Sequence, residues 1–298
     1  MAIAYLILVH YQPSHLARLI KALSSNSSYF FIHVDAKKNI EQFRIETSSY
    51  KNIIFLNKKD RDKVYWGGYS QVSATLKLLK SAVNHGVSFD RYCLLSGSDF
   101  PIKRTAYIED EFHKNTEFIS IYQKINYKEN NLISDRIKYL HFWDNRFLNI
   151  RTAPSLRFTL RVHRALKMFP RRKYEGLDFY KGSQWWALTD DCIKFILKFI
   201  ENHREYLLFH QYAGVPDEMF FHSIIQISPF IDNVFYNFEK DPPSKQQGFH
   251  HISWKNGRPR NLKESDLSTL MTSPALFARK FDEYRSSGLL LKLEQHLC

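Results

Sequence analysis

Apolar residues follow two rhythms along this chain. Residues 3–9, 29–34, 53–56 and 92–95 are short apolar runs without a polar face, as expected of strands buried on both sides. Between them the spacing becomes helical. Leu16, Leu19, Ile20 and Leu23 follow Pro13-Ser14, and Val72, Leu76, Leu79 and Val83 mark one face of residues 69–83. Strands alternating with helices predict an α/β fold with a mainly parallel, doubly wound sheet, in which ligands bind beyond the carboxyl ends of the strands. His10, Asp35 and the turn Ser96-Gly97-Ser98-Asp99 lie at such ends.

Residues 124–181 are richer in charge and aromatics and read as an inserted lobe with at least one helix. Residues 182–189 predict a strand, and Asp190 or Asp191 caps a helix over 192–200. Residues 240–259, with Pro242-Pro243, Gly248, Gly257 and Pro259, read as loop. Residues 266–270 predict a short helix, and the chain from Ala275 onward is expected to be helical. The segments form one domain of three portions, 1–123, 124–181 and 182–298.

The stretch 215–229 stands out. Pro216 suits a helix start, Asp217 and Glu218 fall in the first turn, and Met219, Phe220, Ile224 and Ile225 supply an apolar face that Pro229 ends. Its acids are either solvated first-turn charges or include a general base at a pocket mouth.

Composition narrows the class. Hydrophobic and charged fractions of 44% and 24% exclude a disordered chain, and a net charge of +13 implies an anionic partner. The densest basic cluster, Arg161, Arg164, Lys167, Arg171, Arg172 and Lys173, is interleaved with Leu166, Met168 and Phe169. It reads as a solvated face or as a peripheral contact with a membrane. No basic segment forms a recognisable nucleic-acid motif, so nucleic acid is not an expected partner. Three widely spaced cysteines, Cys93, Cys192 and Cys298, argue against a disulfide framework. With an N-terminal run too short to span a bilayer, they lead us to expect a cytoplasmic protein, placed at most at the inner face of the membrane.

Several nucleotide and metal chemistries are disfavoured. Neither G-x-G-x-x-G nor a P-loop is present. Glu218 and His222 are four apart, but H-E-x-x-H is absent. Asp60-Arg61-Asp62 has Asp-x-Asp spacing in a charged loop. No metal or other cofactor is therefore expected. Any diphosphate would be met by Lys and Arg, with candidates in residues 254–260 and 278–281. Tyr65-Trp66-Gly67-Gly68-Tyr69 sets aromatics beside glycines that would let a ring or phosphate approach, and reads equally as a turn with core aromatics.

In order, the chain carries Leu8-Val9-His10, His33-Val34-Asp35-Ala36-Lys37, Val64-Tyr65-Trp66-Gly67-Gly68 with Ser70 and Val72, Leu95-Ser96-Gly97-Ser98-Asp99-Phe100-Pro101-Ile102, residues 182–188, Pro216-Asp217-Glu218-Met219-Phe220-Phe221-His222 and Leu276-Phe277-Ala278-Arg279-Lys280-Phe281. Together these resemble the core-2/I-branching β-1,6-N-acetylglucosaminyltransferases, a family that includes the peptide O-xylosyltransferases. The resemblance implies a single GT-A-like domain and an inverting, metal-independent transfer from a UDP-sugar, N-acetylglucosamine or xylose, to a glycan or lipid-linked acceptor. By the same resemblance Leu8, His10, Asp35, Tyr65 and Ser96 would line the nucleotide pocket. Glu218 would be the base, and Lys280 with Arg258 or Arg260 would hold the diphosphate. Asp99, Trp185, Asp217 and Trp254 would face the sugars, with residues 124–181 on the acceptor side. The chain departs from its animal relatives in lacking their membrane anchor and disulfide set, which suggests a bacterial member. The alternative is a non-catalytic nucleotide- or glycan-binding protein on the same fold.

Overall fold

The computed structural model describes residues 1–169, 173–245 and 249–297; Arg171, Arg172, Gly248 and Cys298 lie outside them. The strands are β1 (Ile3–Val9), β2 (Ser28–Val34), β3 (Ile53–Phe55), β4 (Arg91–Ser96), β5 (Asp99–Pro101), β6 (Glu117–Lys124) and β7 (Tyr180–Gly182). They continue with β8 (Trp186–Thr189), β9 (Val234–Asn237), β10 (His250–Ile252), β11 (Trp254–Lys255), β12 (Arg258–Pro259) and β13 (Phe277–Arg279). The main sheet runs β3-β2-β1-β4-β8-β6-β7, with β9 paired to β6. β1 to β4 are mutually parallel, as their double-sided apolar runs require. The crossovers are made by the helices Pro13–Leu23 and Ser70–Val83, which with Asp190–Asn202 flank the sheet. The fold is mixed α/β with a mostly parallel central sheet.

The structure departs from the sequence expectations in several places. β8 runs antiparallel to both β4 and β6, and β6 antiparallel to β7, so the doubly wound pattern stops at β4. Residues 182–189 are not one strand: β7 and β8 lie on opposite sides of β6. The helix after β8 is capped by the Thr189 hydroxyl, which accepts from the Cys192 N–H at 3.3 Å, rather than by Asp190 or Asp191. In Ser70–Val83 the buried face is Val72, Leu78, Leu79 and Ala82, and Val83 is exposed. The expected helix from Ala275 is instead β13, which pairs parallel with β10 and antiparallel with β5; helix resumes only at Ser287–Leu297. Cross-strand pairing overrides local spacing there. The expected loop 240–259 contributes β10, β11 and β12. Cys93 and Cys192 are buried thiols.

Candidate functional site

In the main sheet the chain winds outward from β1 to β2 and β3 on one side and to β4 on the other. The crevice where strand order reverses therefore opens above the ends of β1 and β4. Leu8 pairs with His33 on β2 and Ser96 on β4, and its carbonyl accepts from the Gly97 N–H at 2.9 Å. Two residues on, His10 stands at the crevice. Although the residue keeps an exposed side, the protein packed around the ring pulls its pKa down to about 4 against the opposing pull of Asp35, with Lys280, Lys38 and Lys37 lowering it further. The ring is neutral at physiological pH. Asp35 directly follows β2 and is buried; its carboxylate accepts from the Lys37 N–H at 2.9 Å and pairs with the Lys37 ammonium at 3.0 Å. Arg61, from the charged loop, donates to the carbonyls of Val34, Asp35 and Lys38, fixing this turn from behind.

The Lys37 ammonium lies 4.2 Å from the Tyr65 ring centre, joining the Asp35 turn to the aromatic-glycine stretch. What approaches the glycines is the inserted lobe itself. Trp143 stacks on Trp66 at 5.8 Å, and a Cβ on Gly67, whose φ is +73°, would meet the Trp143 ring at 2.5 Å. The Asp144 carboxylate sits over Gly68 and accepts from the Ser70 N–H at 3.0 Å. Arg151 lies over the Trp66 ring at 3.7 Å. The lobe therefore packs on this stretch, and Tyr65 reaches the Asp35 turn through Lys37.

The small sheet β10-β13-β5 lies beyond the end of β4. Asp99 is fully buried and register-paired with Arg279. It accepts from the Ser96 N–H at 2.8 Å and the Ser96 hydroxyl at 3.0 Å, and lies 3.2 Å from His250 and 3.7 Å from the Arg279 guanidinium. Burial alone would raise its carboxyl; Arg279, His250 and the Ser96 N–H outweigh that and hold it below the ordinary value. Ser96 and Asp99 thus bond to the protein's own groups. Arg279 also lies 4.4 Å over the Trp185 ring, so Trp185, itself buried, faces a cation. The next residue, Lys280, has its backbone clamped to Arg260 and Leu262 and its ammonium 5.2 Å from the Tyr11 ring, beside His10.

β11 and β12 form a two-residue hairpin through Asn256 and Gly257, whose positive φ values suit a tight primed turn. Trp254 on it is 61% exposed. The structure separates the two arginines left open by sequence. Arg260 is engaged by both oxygens of Asp266 at 2.8 and 2.6 Å, whereas Arg258 has no ion pair among the described residues. Lys280, Arg260, Lys263 and Arg285 line an open groove of about 1220 Å³.

The segment 215–229 is not one helix. Pro216–Glu218 forms a 3-10 turn, Met219 breaks it at φ −142°, and a helix follows over Phe220–Gln226. Val215 enters the turn at φ +49°, a strained conformation for a β-branched residue. It is held there by its N–H bond to the Gly67 carbonyl at 2.8 Å. From Ala213 to Ile225 every residue is buried except Glu218. Asp217 accepts from Gln71 at 3.2 Å; burial and the adjoining Glu218 charge raise its pKa to about 7. Glu218 keeps 32% of its side chain exposed. Its Oε2 is 2.8 Å from Arg136 and 3.7 Å from Lys181, and Oε1 has no partner among the described residues. Sequence reasoning missed Arg136 and Lys181: the lobe around Arg136 has no periodic signal, and Lys181 only borders a recognised stretch. His222 is buried with Nε2 donating to the Ser183 carbonyl at 2.8 Å, and it shares no open face with Glu218. Among the described residues no cluster of metal-ligating side chains occurs.

Around the strand ends, Glu218 is paired with Lys181, Trp185 faces Arg279, and Lys280 lies near His10. Asp35 is joined through Lys37 to Tyr65, and Gly67 accepts from the N–H of Val215, which opens the Glu218 turn.

A model of the Core-2/I-branching enzyme family matches residues 3–271. A xylosyltransferase of Ciona intestinalis is 28% identical, covering 94% of this chain and 32% of its own length. Xylosyltransferase 2 of Bos taurus is 26% identical, covering 99% and 33%. The chain thus spans about a third of the length of the curated relatives it matches. Among solved structures, the galactosyltransferase LgtC with donor and acceptor sugar analogues covers 100% of this chain and 96% of its own at 9% identity, with a TM-score of 0.42. Since the family match takes in the crevice and the Asp217-Glu218 turn alike, the chain belongs to the Core-2/I-branching enzyme family, a family of glycosyltransferases.

Proposed function

We propose that the chain transfers a sugar with inversion from a UDP-sugar, on a GT-A-like fold, to a hydroxyl of a glycan or lipid-linked acceptor. The observation that carries this reading is Glu218. It is the one open carboxylate in an otherwise buried segment, with Oε2 anchored by Arg136 and Lys181 and Oε1 without a partner among the described residues. In the proposed step the acceptor hydroxyl gives its proton to Oε1 as its oxygen bonds the donor C1. The C1–O bond breaks, its electron pair passes to the β-phosphate oxygen, and UDP leaves. One base and no covalent intermediate suffice for a single displacement. Neutral His10 and the Asp35 carboxylate suit the uridine, with Leu8 and Tyr65 beside them. Lys280 and Arg258 meet the charge developing on the diphosphate, a role a metal ion plays elsewhere. Ser96 and Asp99 support this wall by fixing Arg279, and Trp254 and Trp185 suit the sugars. The relatives' names favour xylose as the sugar, with N-acetylglucosamine second.

The experiment is a panel of UDP-sugars assayed for hydrolysis and transfer with and without EDTA, with the anomeric configuration of the product read by NMR. Turnover of UDP-xylose or UDP-N-acetylglucosamine in EDTA with a β-configured product is expected. A retained α-configuration, strict manganese dependence, or UDP binding without any turnover would contradict the proposal.

A further inference from the structure

The strongest feature outside the crevice is the outer face of the inserted lobe. Residues 145–174 hold nine Lys or Arg and no Asp or Glu, in a chain whose net charge is +13. The helix Leu156–Leu166 packs on the rest of the protein through Thr159, its one fully buried residue, whose hydroxyl bonds the Phe147 carbonyl at 3.2 Å, and through His163, whose ring lies 6.4 Å from that of Trp143. Its outward side alternates arginines with apolar residues. Arg157, Arg161 and Arg164 have no ion pair among the described residues, and Leu156, Phe158, Leu160, Met168 and Phe169 are each half or more exposed. The basic surface therefore begins before Arg161 and carries its own apolar groups.

We infer that this face docks the chain on an anionic lipid membrane. Cations alone would fit any polyanion. Five large apolar side chains held in water beside them fit a surface with an acyl layer beneath its charges, where the arginines sit at phosphates and Phe158 and the leucines enter. Aliphatic Leu156, Leu160 and Met168 have no use against a polysaccharide or nucleic acid. The face is also tied to the crevice: Lys167 at the helix end pairs with Asp135, whose neighbour Arg136 anchors Glu218. Docking would set the crevice beside the membrane, where a lipid-linked acceptor is presented; this last point rests on the proposed function.

The test is sedimentation of the full chain with vesicles of equimolar phosphatidylcholine and phosphatidylglycerol, against phosphatidylcholine alone, with soluble donor hydrolysis measured alongside. Binding to the anionic vesicles alone is expected. R157Q/R161Q/R164Q should lower it roughly a hundredfold, from about fivefold per charge. F158S/L160S should lower it at unchanged charge, and both variants should keep the parent's hydrolysis in solution. No sedimentation, or equal sedimentation with uncharged vesicles, overturns the inference. So does unchanged vesicle binding by F158S/L160S, which would mark a polyanion surface. Vesicle binding by a chain that hydrolyses no donor would leave docking in place and remove the proposed function instead.

Discussion

Asp217 and Glu218 are adjacent carboxylates in contrasting surroundings, one under Gln71 and the protein interior, the other open and anchored by two cations. Such pairs divide acid–base roles, because only one can stay charged cheaply. The Asp217 carboxyl is raised to about 7, above about 3.9 in an unfolded chain. The folded state thus holds this proton more tightly. Its stabilising contribution is complete below pH 4 and is lost as pH rises through 7. Asp217→Asn, neutral throughout, should remove that slope. The variant's melting temperature relative to the parent should climb between pH 4 and pH 8, and a constant difference would show that Asp217 ionises normally. At this scale the sequence showed the pair but not its division, since burial by Gln71 and anchoring by Arg136 both come from segments far along the chain.

Among the elements, the parallel strands and their first two helices were legible because their apolar periodicity is local. β5, β6 and β9 were not, being short or made by long-range pairing, and the helix expected from Ala275 onward hides β13. The hairpin β11–β12 was hidden inside an apparent loop, yet its Asn256-Gly257 turn was a readable signal. The hairpin carries Arg258, to which the proposed function gives the diphosphate, while Arg260 beyond it is paired with Asp266. Arg258→Ala should lower kcat/KM about a hundredfold with little change in melting temperature. Arg260→Ala should act mainly on stability, by about 1 kcal/mol, through loss of the partly buried pair with Asp266. Steady-state kinetics and thermal unfolding of both variants check this, and reversed effects would exchange their places.

At the scale of the whole molecule, the proposed site takes Leu8 and Lys280 from the two ends of the chain and Arg136 from the lobe, so ligand binding should stabilise all three together. UDP at a hundred times its Kd should add about 2.7 kcal/mol to unfolding in one cooperative transition; a shift confined to one of two transitions would separate the portions. No described helix is long and apolar enough to cross a membrane. The proposed reaction turns on a single proton transfer, and the most direct measurement compares Glu218→Gln with the parent for both UDP affinity and sugar transfer. The prediction is unchanged UDP affinity with transfer slowed about a thousandfold. Transfer at the parent's rate would contradict Glu218 as the base.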